Sequence, residues 1–188
     1  AGTQMGGCGC GSSFSEQEPR LSLLAGKLGG PGNTDGIGPD ARFLLPGGGA
    51  SDGTFVYIAD THNHTIRRIK IDTGEVTTLA GTPGLWGSDD GTGASARFYY
   101  PSDLAIDGSH LYVADTQNST IRKVDVLTGV VTTPIGSAGI HWSMDGTGPN
   151  AGFSFPIGIA CDGTHLYIAD TQTSLIRRIE ISTGEVTT

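Results

Sequence analysis

Residues 110–115 read His110-Leu111-Tyr112-Val113-Ala114-Asp115, a β-branched and aromatic run that stops at an acidic turn residue. On its N-terminal side Ser102-Asp103-Leu104-Ala105-Ile106-Asp107 is a second such run, closed by Gly108-Ser109. On its C-terminal side Thr116 to Ser119 turns the chain into Thr120-Ile121-Arg122-Lys123-Val124-Asp125-Val126. Thr128-Gly129 then turns it into Val130-Val131-Thr132-Thr133-Pro134-Ile135. Short β-branched runs separated by Gly, Asp and Asn predict four antiparallel strands joined by hairpins. No segment carries a helical period.

This unit occurs three times. Tyr57, Tyr112 and Tyr167 each open a Tyr-Ile/Val-Ala-Asp-Thr run, and they are spaced by 55 residues. The same step relates Asp35, Asp90 and Asp145, each followed by Gly-x-Gly. It relates Phe43, Phe98 and Phe153; Arg67, Arg122 and Arg177; and the Val-Thr-Thr runs that begin at Val76, Val131 and Val186. The alignment needs no gap. Repeats therefore run over 26–80, 81–135 and 136–188, and a Gly/Ser-rich tail with Cys8 and Cys10 occupies 1–20. Four short strands per repeat make one blade of a β-propeller, so the expected fold is all-β with three blades in this chain. Residues 21–26 align with a fourth strand and the start of the next loop. They are expected to form an outer strand whose own blade is missing upstream.

Composition agrees. The chain holds 31 glycines in 188 residues without a collagen period, which suits many tight turns. Lys and Arg number 11 against 19 Asp and Glu, a net charge of −8, which disfavours a phosphate backbone as partner. No stretch approaches the length of apolar residues a membrane helix needs. No apolar targeting run is expected near the N-terminus, and Cys8 and Cys10 are too close for an ordinary bridge to each other.

The repeat resembles the NHL-repeat family of β-propellers. The likeness rests on Asp90-Gly91-Thr92-Gly93, Ala96-Arg97-Phe98, Pro101, Leu104-Ala105, Asp107-Gly108, Leu111 to Thr116, Asn118 and Ile121-Arg122. It implies a blade-by-blade propeller, usually of six blades. It implies little about activity, since the family holds binding scaffolds as well as lyases and lactone hydrolases with a metal near the central channel.

Candidate site residues follow from what repeats and what does not. Asp60, Asp115 and Asp170 end the second strand of each blade, with Asn63 and Asn118 in the same turn and Thr173 in the third copy. The preferred reading is turn chemistry, a carboxylate accepting backbone N–H groups; removing Asp115 would then cost about 1–3 kcal/mol. Asp35, Asp90 and Asp145 precede glycines in the long loops, where turn stabilisation is preferred and calcium is the alternative. Arg67, Arg122 and Arg177 are each followed by a second basic residue, so one of each pair is expected to meet a carboxylate or carbonyl and the other to face water. The histidines, including His62 and His64, read as surface residues, and no metal or other cofactor is expected.

Trp86, Tyr99, Tyr100 and Trp142 do not recur and lie in the long loops, which makes them interface candidates. Leu21, Leu23, Cys8 and Cys10 are the others. No nucleophile elbow and no phosphate loop is present. Gly47-Gly48-Gly49 stands where the other copies have Ser102-Asp103-Leu104 and Ile157-Gly158-Ile159, which leaves the first blade's inner strand without an explanation.

The expected function is a non-catalytic binding or assembly module, with a propeller enzyme as the alternative. The expected partners are another protein or further copies of this chain, and neither nucleic acid nor a membrane span is expected. Fold type, a Thr- and Gly-rich composition and little lysine point to export. Three blades would expose apolar faces at both ends of the stack, so either a longer chain or another copy is expected to supply more blades. In the second case the copies would close a ring or extend as a filament, with residues 21–24 adding to a neighbour's sheet edge.

Overall fold

The computed structural model describes residues 22–188. It holds fifteen short strands and single 3-10 turns, and among the described residues there is no α-helix. Blade 1 contains β1 (Gly36–Ile37), β2 (Gly49–Ser51), β3 (Phe55–Asp60), β4 (Thr65–Lys70) and β5 (Glu75–Ala80). Blade 2 contains β6 (Gly91–Thr92), β7 (Pro101–Asp107), β8 (His110–Asp115), β9 (Thr120–Asp125) and β10 (Val130–Ile135). Blade 3 contains β11 (Gly146–Thr147), β12 (Pro156–Cys161), β13 (His165–Asp170), β14 (Leu175–Glu180) and β15 (Glu185–Thr187).

Each blade is an antiparallel sheet of five strands, ordered β1-β5-β4-β3-β2 in the first and equivalently in the others. Four of them are the meander read from the sequence. The fifth, two residues long, comes from the long loop that enters the blade: Gly36 pairs with Val76 and Ile37 with Glu75. This corrects the four-strand count. The extra strand covers the outer edge, where unpaired backbone groups would otherwise face a potential partner strand.

Local chemistry sets the turns. The Asp162 carboxylate accepts the N–H groups of Thr164 at 2.8 Å and His165 at 2.7 Å, and so fixes the β12–β13 hairpin. Those bonds, with the Tyr167 hydroxyl at 2.9 Å, hold the Asp162 carboxyl down at about 2. At the opposite end of the sheet, Thr61–Asn63 forms a 3-10 turn that ends on His64 with φ +60°; Ser119 and Ser174 take the same left-handed conformation in the other blades.

The sheets pack face to face through one repeated set of apolar positions. Tyr57, Ala59 and Ile66 of blade 1 share a core with Phe98, Leu104, Leu111 and Val113 of blade 2. Tyr112, Ala114 and Ile121 of blade 2 share the next core with Phe153, Ile159, Leu166 and Ile168 of blade 3. The first strands of the three blades lie side by side. Gly48 donates its N–H to the Ser102 carbonyl at 2.8 Å, and the Ser102 hydroxyl donates to the Ile157 carbonyl at 2.7 Å.

This contact accounts for the first two glycines of the triplet. A Cβ on Gly47 would collide with the Ser102 carbonyl, and one on Gly48 with the Asp103 carboxylate. Glycine is what lets β2 approach β7 so closely.

Of the outer strand expected over residues 21–26, Ser22, Leu23, Leu24, Ala25 and Gly26 lie in no strand here. Leu21 lies outside the described residues, as do Cys8 and Cys10. Repeat geometry begins at Gly26, whose N–H reaches the Gly38 carbonyl at 2.9 Å as Gly81 reaches Gly93 and Gly136 reaches Gly148.

Candidate functional site

A buried polar node sits at the loop end of every blade and positions everything around it. In blade 2 the Asp115 carboxylate is fully buried and accepts three donors: the Tyr99 N–H at 2.7 Å, Asn118 Nδ2 at 2.7 Å and Arg122 Nη1 at 2.9 Å. Arg122, itself buried, also donates to the Arg97 carbonyl at 2.7 Å, the Asp89 carbonyl at 3.0 Å and Asp90 Oδ1 at 2.9 Å. Its guanidinium lies over the Phe98 ring, 5.2 Å from the centroid. Burial pushes the Asp115 carboxyl up to about 6, and the Arg122 guanidinium is the first of the groups that pull it back down.

Blade 1 repeats this with Asp60, Asn63, Arg67, Asp35 and Phe43. Blade 3 repeats it with Asp170, Arg177, Asp145 and Phe153, but Thr173 replaces the asparagine. There Ser143 supplies the missing donor: its hydroxyl bonds to Asp170 and accepts from Arg177 Nη1 at 2.8 Å.

The loop carboxylates are engaged within the protein. Asp90 accepts the Thr133 hydroxyl at 2.7 Å and the Thr133 N–H at 3.1 Å, in addition to Arg122. Asp145 takes the Thr188 hydroxyl as well as Arg177, and these hold its carboxyl below the usual carboxylate range. Among the described residues no three His, Cys, Asp or Glu side chains converge as a metal site would require.

On this rigid base stands an aromatic surface. The node fixes the backbone of Tyr99 through Asp115. The Tyr100 N–H meets His64 Nδ1 at 3.2 Å, so the two tyrosines are held between blade 1 and blade 2. Tyr99 stacks on Trp86 with centroids 4.7 Å apart. The Tyr100 ring meets His62 edge-on at 4.8 Å and His64 edge-on at 4.6 Å. The result is a continuous aromatic run from Trp86 through Tyr99 and Tyr100 to the two histidines, with Trp86 63% exposed.

One blade further on, His141 stacks on Phe155 with centroids 5.4 Å apart, and Trp142 beside it is 57% exposed. The β3–β4 turn and the loop from β5 to β7 lie at the same end of an antiparallel meander, so these aromatics share one end of the molecule.

Of the interface candidates, Trp86, Tyr99 and Tyr100 come together. Trp142 belongs to the neighbouring patch, and Leu23 is exposed but in neither. One sequence reading changes. His64 is buried rather than a surface histidine; burial and then the nearby His62 lower its pKa. Tyr100 does not recur as a residue, but Leu45 and Phe155 hold the same position in the other copies and all three adopt φ between 46° and 55°. Sequence reasoning missed His62, His64 and Phe155 as members of the surface. The signal that could have found Phe155 is this shared position, one residue beyond the node.

Residues 100–121, which span the second hairpin and its turn, match the LVIVD repeat family. Over 182 residues the chain is 27% identical to human NHL repeat-containing protein 2, covering 83% of this chain and 25% of that one. The repeats are NHL repeats. This NHL chain is also 34% identical over 138 residues to Protein SUPPRESSOR OF QUENCHING 1, chloroplastic, of Arabidopsis thaliana, covering 69% of this chain and 13% of that one. The chain therefore spans a quarter or less of the length of these relatives. Among solved structures, an auxiliary nutrient binding protein from Bacteroides ovatus aligns with a TM-score of 0.59 and 25% identity, over 67% of this chain and 34% of that one. No helix among the described residues is long and apolar enough to cross a membrane.

Proposed function

We propose that these NHL repeats form a non-catalytic binding module whose contact surface is the aromatic end of blades 1 and 2, with a protein as partner. The observation that carries this is the aromatic run of exposed Trp86 stacked on half-buried Tyr99 and continued by half-buried Tyr100, held by a backbone that the Asp115 node fixes. Large rigid aromatics offer contact area at little entropic cost, which is what binding surfaces use. The polar groups of the same region are spent on one another, as in a scaffold. The likeness to a nutrient binding protein supports a binding role, and the module is read as exported.

The test compares wild type with Trp86→Ala and Tyr99→Ala for retention of partners from native extracts on the immobilised chain. Loss of the same retained proteins in both variants, with unchanged thermal melts, supports the surface. Retention equal to wild type in both variants refutes it.

A further inference from the structure

The asparagines of the buried nodes carry a second sequence pattern. The chain has four asparagines, and two of them open the triplets Asn63-His64-Thr65 and Asn118-Ser119-Thr120. Asn-x-Ser/Thr is the acceptor pattern for transfer of a glycan to asparagine, and it ordinarily marks a surface loop. Both asparagines are instead buried, Asn63 at 5% exposed and Asn118 at 7%.

Both hydrogens of each side-chain amide are in use. Asn63 Nδ2 donates to the Gly32 carbonyl at 2.7 Å and to Asp60 Oδ2 at 2.8 Å. Asn118 Nδ2 donates to the Gly87 carbonyl at 2.7 Å and to Asp115 Oδ2 at 2.7 Å. These bonds tie the incoming loop to the carboxylate of the node.

The third residue of each triplet is buried as well. Thr65 and Thr120 are fully buried, and their hydroxyls have no hydrogen-bond partner among the described residues. Blade 3 has Leu175 at the same step, so a blade accepts an apolar side chain there. The acceptor pattern requires the threonine hydroxyl, whereas the folded blade does not.

We propose that Asn63 and Asn118 are glycan acceptors in the unfolded chain alone, and that transfer to either one bars the chain from its fold. The donor is a lipid-linked oligosaccharide diphosphate. Transfer joins the anomeric carbon of the sugar to Asn Nδ2 and breaks that carbon's bond to the diphosphate oxygen. The lipid diphosphate leaves and takes the amide proton. The modified amide keeps one N–H, so it can meet the loop carbonyl or the node carboxylate but not both. A buried group left without its partner is costly, and a nine-tenths buried side chain has no room for a sugar. At Asn118 the carboxylate concerned also fixes Tyr99. Folding and modification therefore exclude each other: the folded chain shields both acceptors, and the modified chain cannot close its nodes. The export read for the module narrows to a route on which no glycan is transferred before folding. The inference does not depend on the aromatic surface.

The test expresses the full chain behind a secretion leader in a eukaryotic cell that transfers such glycans. Electrophoretic mobility is read before and after glycosidase treatment, and each product is melted. Wild type is expected to carry glycan and to show no cooperative melt. Two unmodified forms should melt cooperatively. One is wild type from cells in which assembly of the lipid-linked glycan is inhibited, an arm that needs no substitution. The other is Thr65→Val/Thr120→Val, which keeps both asparagines and loses both acceptor patterns. Thr65→Val alone leaves Asn118 as acceptor, and Thr120→Val alone leaves Asn63, so each is expected to be modified and unfolded. A glycosylated wild type or single variant with the cooperative melt of the unmodified chain overturns the proposal. So does a wild type that leaves the cell unmodified, or an unmodified product of the inhibited cells that shows no cooperative melt.

Discussion

Replacing Asp115 with alanine tests whether the buried node holds a blade together. The change removes the acceptor of three buried donors and leaves the Arg122 guanidinium, which is fully buried, without its buried counter-ion. Arg122 keeps Asp90 and two carbonyls, and Asn118 keeps the Gly87 carbonyl at 2.7 Å, so the Tyr99 N–H is the donor left with nothing. Breaking a buried pair by deleting one partner costs about 3–5 kcal/mol, and the orphaned N–H alone is worth about 1–3 kcal/mol of that. We therefore expect a loss of about 3–5 kcal/mol, above what turn chemistry alone implies.

Asp90→Ala is the control. Its side chain is 50% exposed, and deleting a solvent-screened partner costs about 1 kcal/mol or less. The assay is urea unfolding at pH 7.5, well above the value of about 6 for Asp115, followed by fluorescence of the two tryptophans. The slope should be unchanged if both variants still unfold in one step. An Asp115→Ala loss below about 1 kcal/mol, or one equal to that of Asp90→Ala, would refute the node as the blade's main polar anchor.

Two further outcomes follow from the same geometry. Gly48→Ala should destabilise the chain by about 1–3 kcal/mol by forcing β2 away from Asp103, measured by urea unfolding; an unaltered midpoint would show that the close approach is not required. His64→Ser should flatten the stability profile between pH 7 and pH 5. The folded state holds the His64 pKa down, so the unfolded state binds the proton first, and stability present above the ordinary histidine value is lost as pH falls through the folded one. Ser119 fills the equivalent position with its hydroxyl facing the Phe155 N–H, so the variant should fold. An unchanged pH slope in a thermal melt would sink the assignment.

The repeat made the fold legible because it acts as an internal comparison. The strand bounds around Tyr57, Tyr112 and Tyr167 are visible in one copy and fixed by three. What stayed hidden involves residues distant in sequence. Asp90 meets Thr133 across most of a repeat, and no local pattern marks that pairing. The exchange of Asn118 for Thr173 looks like a loss until Ser143, from the loop before the blade, is seen to donate to Asp170 in the asparagine's place and to accept from Arg177 as well. Gly47 and Gly48 read as a weakened strand because the reason for them is Ser102 and Asp103 of the next blade.

The aromatic surface was half legible for the same kind of reason. Trp86 and Tyr99 stand out by not recurring, whereas His64 replaces a serine at a left-handed position and is buried where it meets Tyr99 and Tyr100 of the following blade. Tyr57 and Tyr167 carry the argument furthest. They are the same residue at the same step of the repeat, yet one is buried and the other 39% exposed, and the difference is whether another blade packs on it. A repeated sequence thus specifies each blade's two faces, and the neighbour that each face meets decides whether the residue is buried or exposed.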